Sequence, residues 1–199
     1  VVYSENQLES SRVIAVNKEQ YVISNVIHYI KSELSCRFIF NIETSLDLPT
    51  VGDWVQAQIL QDDIAIIHAL SPRKSLLKRK VPGKKVDFQL IGANIDIAFI
   101  VQALDDNFNL RRLERYLVAV NEGKITPVVL FSKRDLLSDD EIEERLSKIH
   151  DLMPDLKALE FSNITGDGLE NIREMMITGK TYCLLGSSGV GKTSLINRL

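Results

Sequence analysis

Two hydrophobic rhythms divide the chain. Up to about residue 70 the apolar positions fall in short runs rich in β-branched and aromatic residues: RVIAVN (12–17), QYVISNVI (20–27), CRFIFNI (36–42), DWVQAQIL (53–60) and DIAIIHAL (63–70). Each predicts a strand. In the fourth run Val55, Ala57 and Ile59 alternate with Gln56 and Gln58, the period of a strand buried on one face. Five short strands in succession predict a small barrel of the OB type over residues 1–70.

After about residue 90 the rhythm becomes strand, helix, strand, helix. IDIAFIVQAL (95–104) is a near-continuous apolar run, as a parallel strand covered on both faces requires. In NLRRLERYLVAVNEG (109–123), Leu110, Leu113, Leu117 and Val120 share one helical face, and Gly123 is placed to end the helix. TPVVLF (126–131) is the next strand. SDDEIEERLSKIHDLM (138–153) has Ser138 and Glu141 at capping-box spacing and a stripe of Ile142, Leu146, Ile149 and Leu152. LKALEF (156–161) predicts a strand, GLENIREMM (168–176) a helix and KTYCLLG (180–186) a strand. The alternation predicts an α/β domain, a parallel sheet with helices on both faces, over 91–199.

Composition changes this picture little. At 199 residues and 45% hydrophobic the chain has room for two small domains, and no run of about 18 apolar residues could span a membrane. The N-terminus has neither the basic start nor the apolar core of a secretory signal. Cys36 and Cys183 fit no metal-ligand spacing and lie in apolar runs, so both are expected as small buried hydrophobes in a reduced, cytoplasmic protein. His28, His68 and His150 are scattered, and no metal cluster is predicted.

Charge changes it more. The segment SPRKSLLKRKVPGKKV (71–86) holds seven basic residues and no acidic one, while the rest of the chain has 17 basic against 27 acidic residues, a net charge of −10. Such a segment is either a contact for a polyanion or a solvated connector. Pro72, Pro82 and Gly83 mark it as a connector, so 71–90 is read as a basic linker. The barrel itself is slightly acidic: over 12–70, Arg12, Lys18, Lys31 and Arg37 face seven carboxylates.

The strongest chemical signal comes last. Gly186, Ser187, Ser188, Gly189, Val190, Gly191, Lys192 and Thr193 match the phosphate-loop pattern G-x-x-x-x-G-K-[ST], with an apolar strand before and an apolar-patterned helix (192–199) after, and Ser194 joins them as a candidate nucleotide contact. The glycines let successive backbone N–H groups converge on a phosphate, and the helix N-terminus adds partial positive charge. Lys192 is the residue to reach the β- and γ-phosphates and Thr193 the one to ligate Mg²⁺, which makes these two the candidate catalytic residues.

A phosphate loop does not choose the base. At the ends of two other strands stand Ser132, Lys133, Arg134 and Asp135, and then Ser162, Asn163 and Ile164. These resemble the guanine-recognition elements of GTPases, usually N-K-x-D and S-A-x. A buried Asp135 carboxylate can accept from guanine N1–H and the 2-amino group, both absent from adenine. The Lys133 stem can lie over the base, and the Asn163 N–H can reach guanine O6. Ser132 stands where asparagine is usual; its shorter side chain is expected not to bridge as far and to weaken nucleotide affinity. On the residues alone, an ATPase or small-molecule kinase, or an RNA-binding assembly module with a vestigial nucleotide site, stays open beside a GTPase.

In ordinary small GTPases the phosphate loop comes first. Here the order is base element, base element, phosphate loop, as though the usual ends were joined and the chain opened elsewhere. With VGDWV (51–55), SPRKSLLKRK (71–80), NFNLRRLERYL (107–117), SKRD, SNITGDGL (162–169) and GSSGVGKTSLINRL (186–199), the sequence resembles the circularly permuted ribosome-associated GTPases of the RsgA type. The resemblance covers nearly the whole chain. It implies an RNA-binding barrel, GTP and GDP as ligands, slow hydrolysis stimulated by the small ribosomal subunit, a role late in that subunit's assembly and rRNA as partner; a monomer is the expectation, with oligomeric state left open by the sequence. It also implies switch regions, a D-x-x-G element and a zinc-binding domain after Leu199. The expectation is therefore a fragment with little turnover of its own, and with any zinc held outside it.

Overall fold

The structure, a computed structural model, describes residues 8–17, 20–26, 28–60, 64–80, 88–105 and 108–199. It divides into two compact units, Val1–Ile95 and Asp96–Leu199.

The first unit holds a closed five-stranded barrel: β1 (Leu8–Asn17), β2 (Gln20–Ser24), β3 (Tyr29–Leu34), β4 (Trp54–Ile59) and β5 (Ile64–Leu70), paired in the order β1-β2-β3-β5-β4 and back to β1. Only β3 and β5 run parallel. Alternate residues point inward, and Val13, Ile23, Ile30, Val55, Ala57 and Ile67 fill the interior. Closure removes the unpaired edges a small sheet would otherwise expose.

The barrel forms as expected, but one of its strands is not the expected one. CRFIFNI does not pair; Cys36–Phe40 is a short helix, α1, capped by the Ser35 side chain accepting from the Phe38 N–H. None of its residues is fully buried and Phe40 is 89% exposed, but Phe38 packs against the barrel core. The third strand comes instead from YIKSEL, where Ile30 and Ser32 face inward. Ser32 donates its hydroxyl to the Tyr21 carbonyl, which satisfies the polar group inside. Cys36 is correspondingly exposed rather than a buried hydrophobe.

Part of the expected linker is also ordered. β6 (Leu76–Lys80) pairs antiparallel with β7 (Phe88–Ala93), and the unit continues to Ile95. Residues 81–87, with Lys84 and Lys85, lie outside the described residues. Just before β6, Arg73 forms an ion pair with fully buried Asp53 at 2.7 Å and donates to the Leu48 carbonyl at 2.7 Å.

The second unit is a four-stranded parallel sheet. Its strands are β8 (Ile97–Ala103), β9 (Thr126–Ser132), β10 (Ala158–Glu160) and β11 (Tyr182–Leu185), in the order β10-β9-β8-β11. The helices are α2 (Leu110–Glu122), α3 (Asp139–Leu152), α4 (Leu169–Glu174) and α5 (Lys192–Ile196). α3 begins with the anticipated capping box: Ser138 accepts from the Glu141 N–H, and Glu141 accepts from that of Ser138. α2 stops at Glu122, but Lys124 and not Gly123 takes the left-handed conformation there. Six of the seven β8 residues are buried, and each such large apolar side chain contributes about 1.5–3 kcal/mol. The last strand of the chain thus lies beside the first strand of this unit. Among the described residues no helix is long and apolar enough to cross a membrane.

Candidate nucleotide site

All four strands are parallel, so the segments that leave them emerge at one edge of the sheet. Ser132 ends β9, Ser162 follows β10 and Gly186 follows β11. This places the two candidate base-recognition elements and the candidate phosphate loop at the carboxyl edge, where ligands of open α/β sheets bind.

They also touch. Ser132, fully buried, donates its hydroxyl to the Val190 carbonyl at 2.7 Å. Asn163 donates its side-chain N–H to the Gly191 carbonyl at 3.1 Å. Two strand tips therefore grip two consecutive carbonyls of the phosphate loop. Ser132, where asparagine is usual, thus reaches the loop despite its short side chain.

The loop's conformation requires its glycines. Gly186 has φ 146°, and a Cβ there would lie 2.4 Å from the Val101 carbonyl oxygen. Gly191 has φ 92°, and a Cβ there would lie 2.7 Å from the Asn163 amide nitrogen. Val190 turns its side chain into the core beneath. Lys192 curls over the loop and donates to the Gly186 and Ser187 carbonyls at 2.8 and 2.6 Å. Among the described residues, the N–H groups of Ser188, Gly189 and Gly191 donate to nothing in the chain. Unmet donors of this kind in a glycine-rich turn are what an anionic oxygen uses. Ser188, Thr193 and Ser194 are exposed around the loop.

The first base-recognition element turns sharply. Lys133 sits at φ 63°, ψ 35°, a left-handed conformation that costs a residue with a side chain about 1–2 kcal/mol. Strain of this kind persists where surrounding contacts over-determine it. Here Lys133 donates to Asp105 at 2.7 Å, and the Ser162 hydroxyl donates to Asp135 Oδ1. Ser162 in turn accepts from the N–H groups of Ile164 and Thr165 at 3.0 and 3.1 Å, which shapes the second element. The Asn163 N–H has no partner among the described residues. Asp135 is exposed rather than buried. Arg134 is turned away into ion pairs with Asp139 at 2.7 Å and Glu160 at 3.4 Å, and Ile164 is 75% exposed.

Two further residues belong to this edge. Asp105 follows β8, and its position at a parallel-strand end was a usable signal. Arg112, in the first turn of α2, donates to the Ser187 hydroxyl across 75 residues; nothing local in the sequence marks it. Cys183, on β11 just before the loop, has its thiol pushed up to about 11 by burial.

The family model described as RsgA GTPase matches residues 70–199. A protein named small ribosomal subunit biogenesis GTPase RsgA 2, from Lactiplantibacillus plantarum, is 33% identical over 98% of this chain and 54% of its own length. One of the same name from Vibrio parahaemolyticus is 37% identical over 95% of this chain and 49% of its own. The chain thus spans about half the length of the curated relatives it matches. In fold it resembles the crystal structure of YjeQ from Thermotoga maritima, with TM-score 0.76 and 22% identity over 96% of this chain and 64% of that one. It also resembles YloQ, described as a circularly permuted GTPase, with TM-score 0.70 and 21% identity over 99% of this chain and 66% of that one.

Proposed function

From a chain that belongs to the RsgA GTPase family, we propose a guanine-nucleotide site in Asp96–Leu199, and for the whole protein GTP hydrolysis during late maturation of the small ribosomal subunit. The observation that carries it is the pair of bonds from Ser132 and Asn163 to Val190 and Gly191. Through them the carboxylate at 135 and the phosphate loop belong to one site.

The division of labour follows from the groups available. Phosphate oxygens take the free loop N–H groups, and Lys192 exchanges the Gly186 and Ser187 carbonyls for the β- and γ-phosphates. A bound purine covers exposed Asp135, which accepts from N1–H and the 2-amino group; the Asn163 N–H meets O6. Mg²⁺, where bound, neutralises phosphate charge; exposed Thr193 beside Lys192 offers a hard oxygen of the kind that ion takes. Lys192, Thr193, the loop residues 186–191 and Ser194 form the phosphate side, and Ser132, Lys133, Asp135, Ser162 and Asn163 the base side. Arg134 and Ile164 shape the base side without facing the ligand.

The partner proposed is the small subunit and its rRNA, met in the cytoplasm. The related proteins carry that subunit in their names. Lys78, Arg79 and Lys80 on β6 supply cationic side chains for a phosphate backbone. Arg73 does not, because Asp53 holds it.

Competition of unlabelled GDP, GTP and ATP against a fluorescent GDP, with this chain and with Lys192→Ala, tests the reading. Guanine nucleotides should displace the probe at least about 100-fold better than ATP, given the unpaired acceptors adenine leaves. Equal displacement by ATP removes the role of Asp135, and probe binding unaffected by Lys192→Ala removes that of the loop.

A further inference from the structure

Asn163 does more in this fold than offer a backbone N–H. Ser162 accepts from the Ile164 and Thr165 N–H groups and so fixes the turn on which Asn163 sits. The turn directs the Asn163 amide at the phosphate loop, where Nδ2 donates to the Gly191 carbonyl and stands where a Cβ on Gly191 would have to go. Its Oδ1 is buried and without a partner among the described residues, so one hydrogen bond and packing hold the amide. One residue earlier in the loop, the Ser132 hydroxyl holds the Val190 carbonyl. The longer amide thus stands on the second strand tip and the short hydroxyl on the first, where the recognition pattern usually has asparagine.

We infer that Asn163 is a positioning residue of the nucleotide site, forming with Ser132 a two-point clasp on the phosphate loop that sets how long a nucleotide stays bound. The inference rests on the nucleotide reading above for its functional consequence, but the clasp itself is a property of the free chain. The Ser132 bond orients the Val190–Gly191 peptide, whose N–H is among those left for phosphate, and the Asn163 bond fixes the next one, Gly191–Lys192. Loss of either bond lets these two linked peptides rotate, so phosphate must pay the ordering cost each time it binds. Because both donors act on adjacent carbonyls, an asparagine at 132 can take over the work, provided the amide at 163 is gone; with both present, the fully buried position at 132 lacks room for the larger side chain.

Five variants test this: Asn163→Ala, Asn163→Asp, Ser132→Ala, Ser132→Asn and the double variant Ser132→Asn with Asn163→Ala. Release of fluorescent GDP by stopped flow is the first readout. Loss of one hydrogen bond predicts about 3- to 10-fold faster release in Asn163→Ala. Release should be faster still in Asn163→Asp, which keeps the shape but turns a carboxylate toward a carbonyl. The double variant should return to within about 3-fold of the parent, whereas Ser132→Asn alone should be impaired. GDP-over-ADP preference should survive in Asn163→Ala. Unchanged release in Asn163→Ala, or a double variant as impaired as its two singles combined, overturns the clasp. The second readout is amide hydrogen exchange over residues 187–192 of the nucleotide-free chain. Asn163→Ala should speed exchange there, and the double variant should restore protection. Should the parent bind no guanine nucleotide, the site reading fails while the exchange data still support or overturn the clasp. A merely structural role for Asn163 would not produce rescue by an enlarged residue at 132.

Discussion

Ser162 donates its hydroxyl to Oδ1 of Asp135, joining the two candidate base-recognition elements across 27 residues of sequence. The bond leaves Oδ2 of an exposed carboxylate unclaimed by Ser162 and holds the group in one orientation. Preorganised acceptors of this kind discriminate because the wrong ligand leaves them unpaired.

Asp135→Asn should therefore invert base choice. An amide at 135 can donate to the 2-oxo group of xanthine but clashes with the 2-amino group of guanine. GDP should bind about 10- to 100-fold more weakly and xanthosine diphosphate more tightly, since a hydrogen bond to a charged group is worth roughly 1.5–3 kcal/mol. Competition titration against a fluorescent GDP or xanthosine diphosphate gives the order directly. A variant that still prefers GDP excludes Asp135 from base contact.

Gly189 and Gly191 separate backbone strain from steric exclusion. Both have positive φ, 79° and 92°, but a Cβ on Gly189 meets nothing within 4 Å, whereas one on Gly191 meets the Asn163 amide at 2.7 Å. Gly189→Ala should cost about 1–2 kcal/mol, from the left-handed backbone alone. Gly191→Ala should cost more and lower Tm by several °C beyond Gly189→Ala. Placing Asn163→Ala in both backgrounds should close that gap. Calorimetric unfolding measures all four, and equal Tm values for the two glycine variants would show that the Asn163 contact is not confining.

The two thiols should differ in reactivity. Cys36 is exposed on α1, and Cys183 carries a thiol whose ionisation burial pushes up to about 11. Only the thiolate attacks a disulfide reagent. At pH 8 one equivalent should react quickly and the second only after denaturant is added. Cys36→Ser should abolish the fast phase; fast reaction of both thiols would contradict the packing of β11.

Acid should loosen α3 through its cap. Glu141 is held below its ordinary value of 4.5, first by the Ser138 N–H it accepts from and then by the Ser138 hydroxyl. A carboxyl whose pKa is lower in the folded chain adds stability above its unfolded pKa, and that contribution fades as pH falls through the lowered folded value. Glu141→Gln should thus narrow the difference in Tm between pH 7 and pH 3. An identical pH profile in the variant would mean that the cap contributes nothing that titrates.

Much of this was legible because it is local. Each recognition element is a short string at a strand end, and the capping box of α3 spans four residues. The barrel was legible as a count of strands, yet one strand was misplaced. YIKSEL keeps the two-residue period, but Ser32 occupies an inward position and breaks the apolar signal. CRFIFNI carries that signal, but it forms a Ser35-capped helix that sets only Phe38 against the barrel core. The bond from Ser132 to Val190 was not legible because side-chain length says nothing about how near the loop approaches. Arg112 on Ser187 and Asn163 against Gly191 depend on segments 75 and 28 residues apart, a distance at which periodicity and spacing carry no information.

Asp53 sits at the end of the barrel with its charge shut away from water, and Arg73, three residues after the last barrel strand, is its counter-ion. The barrel is therefore not complete at Leu70. A chain stopped there would carry an orphaned carboxylate in its interior, a defect that commonly costs about 3–5 kcal/mol. The ribbon of basic residues that follows starts as a bolt: its first cation is spent holding the drum shut, and only those farther along are free to meet an outside anion.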